Sequence, residues 1–216
     1  MPEIAAPRRK RNLWTAVTMA LLTSIGVAVW QLWPASAPAV SVPDRVCDKR
    51  LSGKIAADLL PEEGEPYWEN TGDGFGVPHD GPTPDCTIAA DDREVSVEYF
   101  RYLDTDMHKY RHKAREEAEL VASIPGSVPL RLGEARGHAS KRAAILLLNC
   151  PMRGYPGTVT ASVYGMSGFP PDSSDVKAFA ELTAETLRLA ARDVYKCGSS
   201  PSLPTGSPTL GRPRAE

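Results

Sequence analysis

Between Leu13 and Trp33 the chain runs for 21 residues, LWTAVTMALLTSIGVAVWQLW, without one charged side chain. As a helix rising 1.5 Å per residue this segment is about 31 Å long, which matches a bilayer core of roughly 30 Å. Trp14 sits near one end and Trp30 and Trp33 near the other, where amphipathic rings suit the two membrane interfaces. Arg8, Arg9, Lys10 and Arg11 precede the segment, and no comparable cluster follows it closely. The positive-inside bias therefore predicts residues 1–12 as a cytoplasmic basic N-terminus and 13–33 as a transmembrane helix or signal anchor. Everything after Trp33 is then placed outside the cell.

The small-residue form Ala35-Ser36-Ala37 offers the alternative of a cleaved signal peptide and a secreted module. The length of the apolar run and Pro38 directly after the cut argue for the anchor. Cys47 follows Asp44-Arg45-Val46, well beyond the apolar run, which argues against a lipoprotein. The Arg8-Arg9 pair is explained by a basic flank better than by twin-arginine export.

The first 33 residues hold four basic side chains and Glu3, so they carry +3. The whole chain is −2, which leaves −5 for the remainder. A mildly acidic outer domain speaks against nucleic acid as a partner. All four cysteines, Cys47, Cys86, Cys150 and Cys197, fall on the outer side, and an even count in an oxidising compartment reads as two disulfides. No CxxC is present and no histidine lies at ligand spacing from a cysteine, so zinc is not indicated. Of three possible pairings, Cys47–Cys86 with Cys150–Cys197 is favoured, because each bond would staple one half of the domain.

Residues 34–43 form a Pro-rich linker and 44–198 the extracellular domain. Asp44 can cap a first helix whose stripe is Cys47, Leu51, Ile55 and Leu59, ended by Pro61. Residues 61–85 read as a long loop with seven acids (Glu62, Glu63, Glu65, Glu69, Asp73, Asp80 and Asp85), no Lys or Arg, and the aromatics Tyr67, Trp68 and Phe75. Cys86–Ala90 and Glu94–Tyr102 form a predicted hairpin; Val95, Val97 and Tyr99 face one way, Glu94, Ser96 and Glu98 the other. A second helix covers 104–123, and a short strand is possible over 129–132. Ala143–Cys150 is a continuous apolar run suited to a strand covered on both faces. Thr158–Tyr164 alternates, and a third helix runs from a cap at Ser173 or Ser174 to about Lys196. Residues 199–216, rich in Ser, Pro and Gly, read as a disordered tail. The order αββαββα implies an α+β domain, an antiparallel sheet of four to five strands with packed helices, preceded by one transmembrane helix.

The RRKRNLW entry, the Trp33-Pro34-Ala35 exit, VPDRVCDKRLSG at the start of the domain, the VEYFRY strand and the final YKCG give the plan a resemblance. It resembles small membrane-anchored proteins of unknown function from high-GC Gram-positive bacteria. The resemblance spans most of the chain apart from the tail and supplies no catalytic residue.

Of the candidate sites, Tyr67, Trp68 and Phe75 in the acidic loop form the suspected partner-contact loop, since Trp and Tyr are favoured interface anchors. The loop's carboxylates do not follow an EF-hand pattern. Asp104, His108, His112 and Glu116 stack on one helix face at i,i+4 spacing, but the basic residues around them and the missing HExxH favour a solvated face. Ser174-Asp175-Val176-Lys177 matches SxxK without its companion motifs, and a helix cap explains it. No catalytic constellation, cofactor or metal set is read from the chain. The sequence-level expectation is a single-pass, non-catalytic binding or interaction module of the cell envelope. It would hold membrane lipid through residues 13–33 and contact another envelope protein or a wall polymer. The alternative activity is a small cell-wall-acting enzyme.

Overall fold

A computed structural model describes residues 37–72, 74–77, 84–103, 109–151, 156–170, 175–197 and 203–213. The expected membrane segment 13–33 lies outside the described residues. Among the described residues no helix is long and apolar enough to cross a membrane. Chain contacts divide the protein into Met1–Ala37 and Pro38–Glu216, and the second unit contains every element below.

The elements in order are β1 (Arg45–Val46), β2 (Leu51–Ser52), α1 (Gly53–Ala57), β3 (Trp68–Thr71), β4 (Asp85–Ala90), β5 (Arg93–Leu103) and α2 (Lys109–Ser123). Then follow β6 (Val128–Leu132), β7 (Ala135–Ala139), β8 (Ala143–Asn149), β9 (Gly157–Ser167), α3 (Val176–Arg188, continued by a π-helical turn over Leu189–Val194) and β10 (Thr209–Leu210). Strands β3 to β10 build one antiparallel sheet in the order β10-β6-β7-β8-β9-β5-β4-β3, and β1 pairs with β2 separately. The expectation of four to five strands in the order αββαββα is therefore corrected to an eight-stranded antiparallel sheet with few helices. The additional strands come from three places: the acidic loop (β3), the weakly patterned 127–142 stretch (β7) and the tail (β10).

Two meanders, β3-β4-β5 and β6-β7-β8-β9, meet where the 11-residue strands β5 and β9 pair from Glu94↔Ser167 to Leu103↔Gly157. One sheet face presents Ile88, Val95, Val97, Tyr99, Leu146, Val159 and Val163 to Phe179, Leu182 and Leu187 of α3, which form the main core. On the other face α2 packs Val121 against Ala143 and Ile145. Strand β8 is thus covered on both sides, as its continuous apolar run AAILLLN requires.

The predicted first helix is also corrected. Cys47, Asp48 and Lys49 adopt left-handed φ values of 54°, 54° and 61°, and only Gly53–Ala57 is helical. Three such residues in succession cost on the order of 1–2 kcal/mol each unless their surroundings hold them. Here the carboxylate of Glu69 accepts the amides of Cys47 (3.0 Å) and Asp48 (3.1 Å), and Arg45 donates to the carbonyls of Lys49 and Arg50. The third lock is the Cys47–Cys86 disulfide. The second disulfide, Cys150–Cys197, ties the end of β8 to the residues after the π turn. No free cysteine remains.

The linker and tail also depart from expectation. The Val40 amide bonds the Glu62 carbonyl and the Gly64 amide bonds that of Pro38, so residues 38–43 pack on the domain. At the other terminus Leu203 is buried, and Arg188 and Arg192 donate to the carbonyls of Pro204, Gly206 and Leu203. The segment then pairs as β10 with β6.

Candidate functional site

The alternation of β5 decides which residues meet. Val95, Val97 and Tyr99 enter the main core, so Glu94, Ser96 and Glu98 must project from the opposite face. Register carries that face across the sheet. Trp68 of β3 is opposite Ala89 of β4, which is opposite Glu94; Asn70 is opposite Thr87, which is opposite Ser96; Asp85 is opposite Glu98. On the other flank Ser96 meets Tyr164, Glu98 meets Ser162 and Phe100 meets Thr160 of β9. Helix α2 packs mainly over β7 and β8. It also reaches β5, whereas among the described residues no helix packs extensively on β3 or β4.

The floor of the open part is made of small side chains. Ala89, Ser96 and Ser162 are buried between larger neighbours, whereas Trp68 on the edge strand β3 is 48% exposed and Met166 on β9 59%. Where α2 begins to overhang, Glu98, Phe100, Tyr102, Lys113, Glu117 and Ser162 line a cavity of about 130 Å³. Ser96 donates to Glu98 (3.2 Å), and the Tyr102 hydroxyl reaches both Glu117 oxygens at 3.3 and 3.4 Å. Burial pushes the Glu117 carboxyl up; the Tyr102 bond and Lys113 oppose this, and Glu98 adds to it. Burial and the charge and hydrogen bond of Glu117 raise the Tyr102 hydroxyl. Burial raises Tyr164 as well, opposed by a bond with Ser162 and reinforced by Glu117 and Glu98.

Ligand pockets usually enclose about 300–1,000 Å³, and the cavity is well below that. Among the described residues its lining holds the carboxylates Glu98 and Glu117, hydroxyls and Lys113. Among the described residues no group of three His, Cys, Asp or Glu side chains could hold a metal ion.

The three aromatics expected to act together are separated. Phe75 is a core residue, 1% exposed, and meets Tyr99 edge to face at 5.2 Å, which corrects its place in a contact loop. Tyr67 is half-buried and donates to Glu69 at 2.6 Å; burial and that carboxylate raise its hydroxyl pKa. Trp68 alone of the three is exposed, and it belongs to an edge strand. Asp104, His108, Ser173, Ser174, Asp73 and Asp80 lie outside the described residues, as does the side chain of His112. Glu116 is exposed on α2, and Lys177 pairs with Glu181 at 3.8 Å. The polar members of the open face were visible as the outward side of β5. Their meeting with Trp68 depends on strand order, which no local pattern carries. Set against known proteins, the chain matches no family model, no curated protein and no solved structure.

Proposed function

We propose that the Pro38–Glu216 unit is a non-catalytic interaction module of the cell envelope, delivered across the membrane by the apolar segment 13–33. The observation that carries this is Trp68, half exposed on the edge strand β3, on which no helix packs extensively among the described residues. A tryptophan in that position loses solvent-exposed apolar area when a partner docks, and Trp is the residue type most enriched at binding hot spots. The two buried disulfides fit an oxidising compartment.

A photo-crosslinking residue at position 68 tests the proposal in cells making the intact chain, with one at Leu120, exposed on α2, as control. Crosslinks to envelope material from position 68 and few from position 120 are expected. Equal yields, or none at 68, would remove the open face as the contact surface.

A wall-acting hydrolase is the second possibility, and its one specific support is Glu117, raised in pKa beside Glu98. Release of soluble fragments from wall preparations, abolished by Glu117→Gln, would favour it.

A further inference from the structure

The open face has a charge pattern as well as a shape. Glu94 and Glu98 lie on the same side of β5, four residues apart, so at about 3.4 Å per residue their Cα atoms are about 14 Å apart. Ser96, between them, is a small, buried side chain that donates to Glu98. Each carboxylate has an aromatic neighbour. Trp68 stands in the same cross-strand row as Glu94, with only the small Ala89 between them, and Phe100 follows Glu98 along the face and lines the same cavity. A carboxylate beside an exposed ring attracts an ammonium or guanidinium group, by charge and through the ring face. Asp85 and Glu117 add to the negative side, and among the described residues Lys113 on α2 is a cation lining the cavity.

We propose that this face seats an extended protein segment carrying two cationic side chains four residues apart. The proposal rests on the interaction-module reading and names the partner chemistry. The shape fits because the side chains between the larger ones along this face, Ala89, Ser96 and Ser162, are small. The spacing fits because side chains at i and i+4 of an extended chain project from the same side, with the same separation as Glu94 and Glu98. Cations at i and i+3 project from opposite sides and can engage only one carboxylate. An anionic polymer would be repelled. A neutral glycan could stack on Trp68 but would desolvate Glu94 and Glu98 without pairing them.

The test uses the full-length chain in detergent micelles and fluorescently labelled ten-residue Ser/Thr peptides followed by anisotropy. One peptide carries Lys at i and i+4, a second at i and i+3, and a third none; a chito-oligosaccharide serves as a neutral glycan probe. The i,i+4 peptide is expected to bind about tenfold tighter than the i,i+3 peptide, which corresponds to about 1.4 kcal/mol. Glu94→Gln and Glu98→Gln should each weaken it several-fold, and the double variant should erase the spacing preference. Both substitutions keep side-chain size, and unchanged melting of the double variant shows that the fold is intact. Equal binding of the two spacings, unchanged affinity in the double variant, or glycan binding that needs Trp68 but neither glutamate would each overturn the proposal. If the peptides fail while crosslinks from position 68 persist, the cationic partner is wrong and the interaction module stands. If the crosslinks vanish too, both fall.

Discussion

Glu69 is the residue whose removal should most directly unlock the left-handed turn. Its carboxylate accepts from the Cys47 and Asp48 amides, the Tyr67 hydroxyl at 2.6 Å and the Thr71 hydroxyl at 3.2 Å. In Glu69→Ala the two hydroxyls can turn to water, but the Cys47 amide belongs to a buried residue and loses its acceptor. A hydrogen bond to a charged group contributes about 1.5–3 kcal/mol, and a stranded buried donor costs about 1–3 kcal/mol. The site is partly solvated, so the low end of each range applies, and the two amides together set a loss of about 3 kcal/mol. In a domain of this size 1 kcal/mol moves Tm by roughly 2–4 °C, so Tm should fall by about 6–12 °C in differential scanning calorimetry.

The pH dependence gives a second signature. Burial alone would raise the Glu69 carboxyl, but the bonds from Tyr67, the two amides and Thr71 outweigh it and hold the pKa below the ordinary value of 4.5. A group depressed on folding adds stability that is present above its unfolded pKa and is lost as pH falls through the folded one. The Tm gap between the parent and Glu69→Gln should therefore be largest near pH 6 and shrink as pH drops below about 4.5 toward 3. A gap that stays constant over that range, or a loss under 2 °C in Glu69→Ala, would refute the view that this carboxylate holds the turn.

Three further outcomes are expected. Phe75→Ala should destabilise by about 3–5 kcal/mol in urea titrations, whereas Trp68→Ala should leave the midpoint nearly unchanged and lower position-68-dependent contact. The reverse ranking would undo the separation of core from surface. Tyr99→Phe strands the Gly76 amide, which bonds the Tyr99 hydroxyl at 2.7 Å, and should cost about 1–3 kcal/mol, read as a lower thermal midpoint. The paired substitution Arg188→Ala and Arg192→Ala should speed amide exchange at residues 203–211 while β8 stays protected; unchanged exchange there would show that the arginines do not hold the tail.

What could be read from the sequence was strongest where local pattern and final environment agree. The 86–102 hairpin and the 143–150 strand follow from period-two alternation and from a continuous apolar run. The stripe Cys47, Leu51, Ile55 and Leu59 identified mostly buried residues but assigned the wrong backbone. Spacing reports which side chains turn inward, whereas the left-handed turn is held by Glu69 and Cys86, distant in sequence. Strand β7, ARGHA, has no β-branched residue; it pairs where it does partly because Gly137 lies so close to β8 that a Cβ would come within 1.8 Å of the Ile145 carbonyl oxygen. The tail looked disordered by composition because its ordering comes from two arginines on α3. The open face was half legible: Glu94, Ser96 and Glu98 alternate outward, but Trp68 reaches them through cross-strand pairing, and Glu117 comes from α2.

The pairing of β5 with β9 sets an order of events for a chain that emerges N-terminus first. Strands β3, β4 and β5 and both residues of the Cys47–Cys86 bond are available early, yet β5 keeps one open edge until residues 157–167 arrive. Through that interval an 11-residue strand offers unpaired backbone groups to any neighbour. The closing step is long-range and therefore slow in the loop-closure sense. The vulnerable species of this protein is its half-emerged chain with the first disulfide made and the sheet unjoined, and the second disulfide can form only after Cys197 has followed.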